Sequence, residues 1–164
     1  MDRRWKMVRR FALPVVITVL FLSLASCDGL FNSEDSLSSA DVEARVFKIV
    51  NDYRLRIGRN ALAWNDAMAD EERAHSQAMA SGQVPIGHQG FEARIARINE
   101  IIPWSVISEN VAFYGSAEDA LDAWLKSPDH QVIIEGDYDL SGVGVAKNSS
   151  NSFYYISQMF LKRL

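Results

Sequence analysis

The sequence contains a single cysteine, Cys27, among its 164 residues. One cysteine excludes an intramolecular disulfide, so the chain is not a small secreted domain held together by disulfides. A chain of this length can bury a core of its own, and 48% hydrophobic and 23% charged residues are ordinary for a globular domain. The fold must therefore be stabilised by that core alone.

Basic residues become scarce once the first 26 residues are set aside. Five of the 17 Lys and Arg residues, but only one of the 21 Asp and Glu residues, precede Cys27. The remainder holds 12 basic and 20 acidic residues, a net charge of −8. Because nucleic acids and anionic lipid surfaces repel negative charge, we expect neither of them as an electrostatic partner.

A long apolar run is missing as well. The apolar stretch near the N-terminus covers residues 11–25 and is interrupted by Pro14, whereas a membrane-spanning helix needs about 20 apolar residues. A basic segment precedes this stretch and residues 24–27, Leu-Ala-Ser-Cys, follow it, which is the layout of a secretory signal. These four residues resemble the bacterial lipobox, where the signal is cut before a cysteine that carries lipid. An uncleaved membrane anchor is the alternative.

We therefore predict three segments. Residues 1–26 form a lipoprotein signal peptide, residues 27–37 a lipidated Cys27 with a polar, Ser-rich tether, and residues 38–164 the folded domain. The predicted location is the bacterial cell envelope, with the lipid anchored on the outer or periplasmic side of a membrane. We expect a monomer that contacts the membrane through its N-terminal lipid.

Periodicity and capping residues predict an α+β fold for the domain. Helices come first, then a strand, a further helix and an antiparallel hairpin, which favours a small, mainly antiparallel sheet with helices on both faces. The predicted elements are helices over residues 38–58, 66–81 and from 91, a strand over 106–114, a helix over 116–128, and strands over 140–147 and 153–160. Residues 59–64 are interpreted as a connector. Gly142 and Gly144 predict close packing of another backbone against their strand.

One set of polar residues could carry chemistry. His88 lies in a loop between two glycines, Glu109 stands in an otherwise apolar strand, and His130 follows the last predicted helix. A buried Glu has to be hydrogen-bonded, paired or bound to a metal, because an isolated buried charge is costly. His75 lies on an apolar helix face, so we interpret it as a core residue that makes one hydrogen bond.

Five segments in order resemble the CAP superfamily, which comprises cysteine-rich secretory, antigen 5 and pathogenesis-related 1 proteins and SCP-like bacterial domains. They read FKIVNDYRLRIGRNALAWN, AHSQAMA, GHQGFEARI, SENVAFYGSAEDALDAWLKSPDHQ, and SGVGVA with YYISQMF. The resemblance covers about residues 38–160 and implies a three-layer α-β-α sandwich with a cleft. It also implies that His88, Glu109 and His130 match three members of a His and Glu tetrad, which binds zinc or another divalent cation in several relatives. The fourth member, a Glu, would fall near Ser127, where the sequence has no acid.

The resemblance implies a binding role, since the family has no general catalytic activity. Two imidazoles and a carboxylate suit Zn²⁺ or another divalent cation, with water at an open position. We therefore predict a lipid-anchored, non-enzymatic module whose cleft binds a cation, a lipid or a peptide. The alternative is a metal-dependent hydrolase of envelope peptide or glycan, although no nucleophile motif surrounds Ser108. A third hypothesis is structural, with the three polar residues hydrogen-bonding one another to fix the loops.

Overall fold

A computed structural model describes residues 37–148 and 150–164 of the chain. The predicted signal peptide, the predicted lipidation site Cys27 and most of the predicted tether lie outside these residues. Among the residues that are described, no helix has the length and apolar character needed to cross a membrane.

Nine elements follow one another along the described chain. In order, they are α1 (Ser39–Arg56), β1 (Ala63–Trp64), α2 (Asp66–Ala80), α3 (Phe91–Ile101), β2 (Trp104–Tyr114), α4 (Ala117–Lys126), α5 (Pro128–Ile134), β3 (Leu140–Lys147) and β4 (Tyr154–Arg163). The predicted helix starts are confirmed by their caps. The hydroxyls of Ser38 and Ser116 and the amide oxygen of Asn65 each accept a hydrogen bond from a backbone N–H in the first turn.

The four strands form one mixed sheet in the order β1-β3-β4-β2. β3 pairs antiparallel with β4 and β4 antiparallel with β2, whereas β1 runs parallel to β3. The sheet is thus mainly antiparallel, as predicted, with one parallel pair. β1 was missed because it has only two residues, too few for an alternating pattern. The segment interpreted as a connector therefore contains the strand at one edge of the sheet.

Helices cover both faces of this sheet, which confirms the three-layer α-β-α sandwich. On one face, α1 and α4 bury Val46, Trp124 and Phe160 in the larger apolar core. On the other face, α2 and α3 bury Met68 and Ile98 in a smaller core. Because alternate side chains of a strand point to opposite faces, neighbouring residues of β4 contribute to different cores.

Helix α2 lies directly against the backbone of β3, as the two glycines predicted. A Cβ atom at Gly142 would stand 2.3 Å from the backbone N of Ala69, and one at Gly144 would stand 2.0 Å from the carbonyl carbon of Glu72. No side chain fits in such a gap. The missing side chains therefore let α2 approach the sheet closely enough to place Glu72 beneath the cleft residues.

The region after α4 differs from the prediction. Helix α4 ends at Lys126, and Pro128, the predicted end of that helix, instead opens a further short helix. Proline suits the first position of a helix, where its missing N–H is not needed and its φ angle is already helical. His130 consequently lies in the first turn of α5, on a helix and not in a loop.

Candidate functional site

The structure brings His88 and Glu109 into direct contact. His88 lies in the loop between α2 and α3 with 53% of its side chain exposed, whereas the Glu109 side chain in β2 is 1% exposed. His88 Nδ1 lies 2.6 Å from Glu109 Oε2. Because a carboxylate only accepts hydrogen bonds, His88 Nδ1 is the donor, and in the neutral ring Nε2 is then the unprotonated nitrogen.

A buried arginine holds the other oxygen of Glu109. Arg94 in α3 donates from Nη2 to Glu109 Oε1, and its Nη1 donates to the backbone oxygen of Gln89 at 2.6 Å. Its Nε lies 3.5 Å from Glu72 Oε1 in α2, which is an ion-pair distance. We call His88, Glu109, Arg94 and Glu72 the carboxylate–arginine cluster. It places one guanidinium between two buried carboxyl groups.

Glu72 is the least satisfied member of this cluster. Its side chain is fully buried, and within the described part of the chain neither carboxyl oxygen has a hydrogen-bond partner. Burial, followed by the negative charge of Glu109, raises the pKa of Glu72 well above its usual value. Glu72 therefore keeps its proton to a higher pH than an exposed glutamate does, which lessens the repulsion between the two carboxyl groups.

His130 is held by contacts separate from this cluster. Its Nδ1 lies 2.9 Å from the hydroxyl of Ser127, and its backbone oxygen accepts a hydrogen bond from Asn110 Nδ2 at 3.1 Å. Burial, and then the nearby charge of His88, lower the pKa of His130 below its usual value. The ring is therefore neutral at physiological pH. The Ser127 hydroxyl therefore orients this imidazole.

The predicted ligand set fits a divalent cation poorly in this arrangement. Residues 37–148 and 150–164 contain no group of three or more His, Cys, Asp or Glu side chains placed to hold a metal ion. Glu109 already uses one oxygen for His88 and the other for Arg94. Zinc sites usually have three or four protein ligands, and the two imidazoles alone fall short of that number. Metal binding by His88, Glu109 and His130 stays a prediction.

Ser108 does not have the surroundings of a nucleophile. Its hydroxyl oxygen accepts a hydrogen bond from the phenol of Tyr138 at 2.9 Å. An activated serine instead needs a base within hydrogen-bond reach of its own proton. This contact ties β2 to the segment before β3 and is structural.

His75 makes the single hydrogen bond expected of a core residue. Its Nε2 lies 2.7 Å from the backbone oxygen of Gly87, next to His88. Burial lowers the pKa of His75, so the ring is neutral and Nε2 carries the proton that it donates. The interpretation of His75 as a structural residue is confirmed, and its effect is to fix the loop that carries His88.

Sequence reasoning missed Glu72 and Arg94, although each leaves a signal. Glu72 lies four residues after Met68 on the buried face of α2. Arg94 lies three residues after Phe91, on the apolar side of α3. A charged residue on the apolar stripe of a helix must find a partner, so an acid on one such stripe and a base on the next indicate a buried pair.

A pocket of about 340 Å³ lies beside His130. It is lined mainly by apolar groups, from the loop before α3, from the end of β2 and from α4. The principal ones are Ile86, Phe113, Tyr114, Ala123 and Trp124. Trp124 Nε1 donates to the backbone oxygen of Val111 at 3.0 Å, which fixes the floor between α4 and β2. Pockets of this size hold small ligands or single side chains of a partner.

Comparison with known proteins gives one family. The model of the CAP family, described as the cysteine-rich secretory protein family, matches residues 47–160, more than half of the chain. An outer surface protein of Borrelia burgdorferi is similar in structure, with a TM-score of 0.69 at 19% identity over 78% of this chain and 97% of that protein. No curated protein matches the sequence.

Two further structures cover only part of a longer chain. An extracellular protein with an SCP domain from Bacillus anthracis gives a TM-score of 0.64 at 25% identity, over 76% of this chain and 41% of that protein. A cysteine-rich secretory protein from Staphylococcus aureus gives 0.64 at 18% identity, over 80% of this chain and 42% of that protein. The extent of the family match, together with this shared fold, shows that the chain belongs to the CAP family of cysteine-rich secretory proteins.

Proposed function

We propose that this CAP domain is an exported, lipid-anchored binding module of the bacterial cell envelope, and that the pocket beside His130 receives an apolar side chain of an extended peptide. The observation that carries the proposal is the pocket itself. Apolar residues line it, and a neutral imidazole and the Ser127 hydroxyl stand at its side.

The choice of a peptide rests on the strand that lines the pocket. Among the strands of residues 37–148 and 150–164, β2 lies at one edge of the sheet beside β4, and residues 111–114 at its end contribute to the pocket. An exposed strand edge offers backbone donors and acceptors to an extended peptide, while a neighbouring pocket selects one side chain. The exposed side chains of Ile86 and Tyr114 supply apolar surface at the rim.

A binding role also agrees with the state of the polar residues. Glu109 is paired with the Arg94 guanidinium, so its carboxylate is not free to take a proton as a general base. Ser108 accepts from Tyr138, and the Nδ1 atoms of both cleft histidines are engaged by Glu109 and Ser127. Of these groups Ser127 and His130 line the pocket, and the hydrogen bond between them fixes that part of its wall.

The pocket is tested with a matched pair of tryptophan substitutions. Ala123→Trp fills the pocket beside His130. Ala44→Trp fills a second surface pocket of about 330 Å³ beside Phe47 and is the control. The full chain in lipid nanodiscs is used to select binders from a random peptide library, and the affinity of an enriched synthetic peptide is measured by fluorescence anisotropy.

We expect Ala123→Trp to weaken peptide binding by at least about tenfold, and Ala44→Trp to leave it unchanged. Equal binding by the wild type and Ala123→Trp would show that the peptide does not use this pocket. Loss of binding of a fluorescent fatty acid in Ala123→Trp, with no peptide enriched, would assign the pocket to lipid.

The envelope location rests on the leader and on the relatives. Residues 1–26 have the layout of a signal and precede Cys27. The similar structures are those of an outer surface protein and an extracellular protein. Cys27→Ser is the direct test. We expect it to lose incorporation of labelled palmitate and to leave the membrane fraction, whereas retention of an uncleaved leader in the membrane would favour a simple N-terminal anchor.

A further inference from the structure

The carboxylate–arginine cluster contains donor types that metals take, but they are arranged around the guanidinium of Arg94, and no three of them in the described residues are placed to hold a metal ion. Glu72 comes from α2, Glu109 from β2 and His88 from the loop between α2 and α3, so three segments of the fold contribute to the cluster, which Arg94 links. Two carboxyl groups and an imidazole are the mixed oxygen and nitrogen donors that divalent cations take in proteins. In this chain the positive charge between them is Arg94.

The position of Arg94 is fixed by the fold. Its side chain is only 6% exposed, and those of Glu72 and Glu109 are at most 1% exposed. Nη1 is held by the backbone oxygen of Gln89 at 2.6 Å, which anchors the guanidinium independently of the carboxylates. The loop that carries Gln89 also carries His88, so the arginine and the imidazole are positioned by one segment.

A metal ion would have to displace this guanidinium. Displacement would leave a buried arginine without its ion-pair partner Glu109, and breaking a buried ion pair in this way is strongly unfavourable. The arginine is covalently part of the chain, so it meets the carboxylates without the entropic cost of binding an ion from solution. A divalent cation therefore competes against a partner that is always present.

We infer that Arg94 is a built-in counter-ion that closes this donor set to divalent cations, so that the carboxylates of this chain are organised without metal. The inference goes beyond the proposed peptide pocket and does not depend on it. It assigns to Arg94 a role in metal specificity, and it implies that removal of the guanidinium uncovers a metal site.

The direct test is Arg94→Met, which keeps an unbranched side chain and removes the charge. The full chain is purified in detergent and stripped with a chelator, and Zn²⁺ affinity is measured near neutral pH by competition with a fluorescent indicator. Arg97→Met is the matched control, because Arg97 lies on the same helix but pairs with Glu71 at the surface. Thermal unfolding with and without Zn²⁺ gives a second readout.

We expect Arg94→Met to bind Zn²⁺ at least about tenfold more tightly than the wild type, and to gain thermal stability from the ion. Arg97→Met should match the wild type in both measurements. The inference is overturned if the wild type binds one equivalent of Zn²⁺ as tightly as Arg94→Met, or if folded Arg94→Met binds no more tightly than Arg97→Met. Folding of Arg94→Met only in the presence of Zn²⁺ would support it.

A second variant keeps the test decisive if Arg94→Met does not fold at all. Glu72→Gln preserves the shape of the side chain and leaves Arg94 in place. Because the inference holds that Glu72 is closed to metals in the natural chain, Zn²⁺ affinity should be the same in Glu72→Gln as in the wild type. A tenfold loss of affinity in this variant would show that Glu72 binds a metal beside the guanidinium, and the inference would be wrong.

Discussion

Gly144→Ala tests the close contact between α2 and the sheet, on which the position of Glu72 depends. The added Cβ would stand 2.0 Å from the carbonyl carbon of Glu72, 2.1 Å from the backbone N of Arg73 and 2.3 Å from the backbone oxygen of Glu72. All three atoms are backbone, so no side chain can rotate away. Relief of the clash requires α2 and β3 to separate by more than an ångström.

The expected cost lies at the upper end of the range for overpacking. Insertion of a methyl group into a packed core usually costs about 1–3 kcal/mol. Here the separation also strains two buried hydrogen bonds, from Ser76 to the backbone oxygen of Gly144 and from Ser157 to the backbone oxygen of Glu72, at 2.9 and 3.1 Å. Each contributes about 1 kcal/mol. We therefore expect a loss of about 3 kcal/mol or more in the free energy of unfolding.

The assay is urea unfolding of residues 35–164, which form one compact unit, followed by tryptophan fluorescence. Gly115→Ala is the matched control, because a Cβ there would meet nothing closer than the Phe153 ring at 3.9 Å. We expect the control to change stability by less than about 0.5 kcal/mol. A loss of under about 1 kcal/mol in Gly144→Ala would refute the reasoning, because it would mean that α2 is free to move away from the sheet.

Three further predictions concern the supports of the site. The folded state keeps His75 neutral, because burial lowers its pKa, whereas the unfolded chain takes up a proton near pH 6.5. The protein should therefore be less stable at about pH 5.5 than at about pH 7.5, and this difference should be smaller in His75→Gln. Thermal unfolding of both proteins at the two pH values measures it. Trp124→Phe removes the hydrogen bond to Val111 and should cost about 1–2 kcal/mol in urea unfolding; an unchanged midpoint would contradict this. Arg54→Met leaves three backbone carbonyls without their donor and should cost about 3 kcal/mol in the same assay, whereas a loss below about 1 kcal/mol would show that water replaces the guanidinium.

Sequence reasoning reached most of the fold because the elements carry local signals. Ser38, Asn65 and Ser116 begin helices at the predicted positions. Gly142 and Gly144 indicate a close approach of another backbone, which is α2. β1 lacked such a signal because it has two residues, whereas Pro128, interpreted as the end of α4, is the first residue of α5. Their existence depends on pairing and packing with distant parts of the chain.

The candidate site was predicted in part. His88 and Glu109 were both predicted site residues, and they form a hydrogen bond. A buried acid requires such a polar partner. The ion pair between Glu109 and Arg94 was not predicted, because it joins different elements and no local pattern gives that distance. Glu72 was missed for the same reason. A charged residue on the apolar stripe of a helix indicates that a partner is needed, but only the fold identifies which partner it is.

The most direct test of the account is a double-mutant cycle on Arg94 and Glu109. Arg94→Met, Glu109→Gln and the double variant are compared with the wild type by urea unfolding. Each single change leaves a buried charge without its partner and should cost about 3–5 kcal/mol. The double variant removes both charges, so its loss should be smaller than the sum of the two single losses by about 2 kcal/mol or more. Losses that add to within about 0.5 kcal/mol would contradict the account, because the guanidinium and the carboxylate would then not stabilise each other.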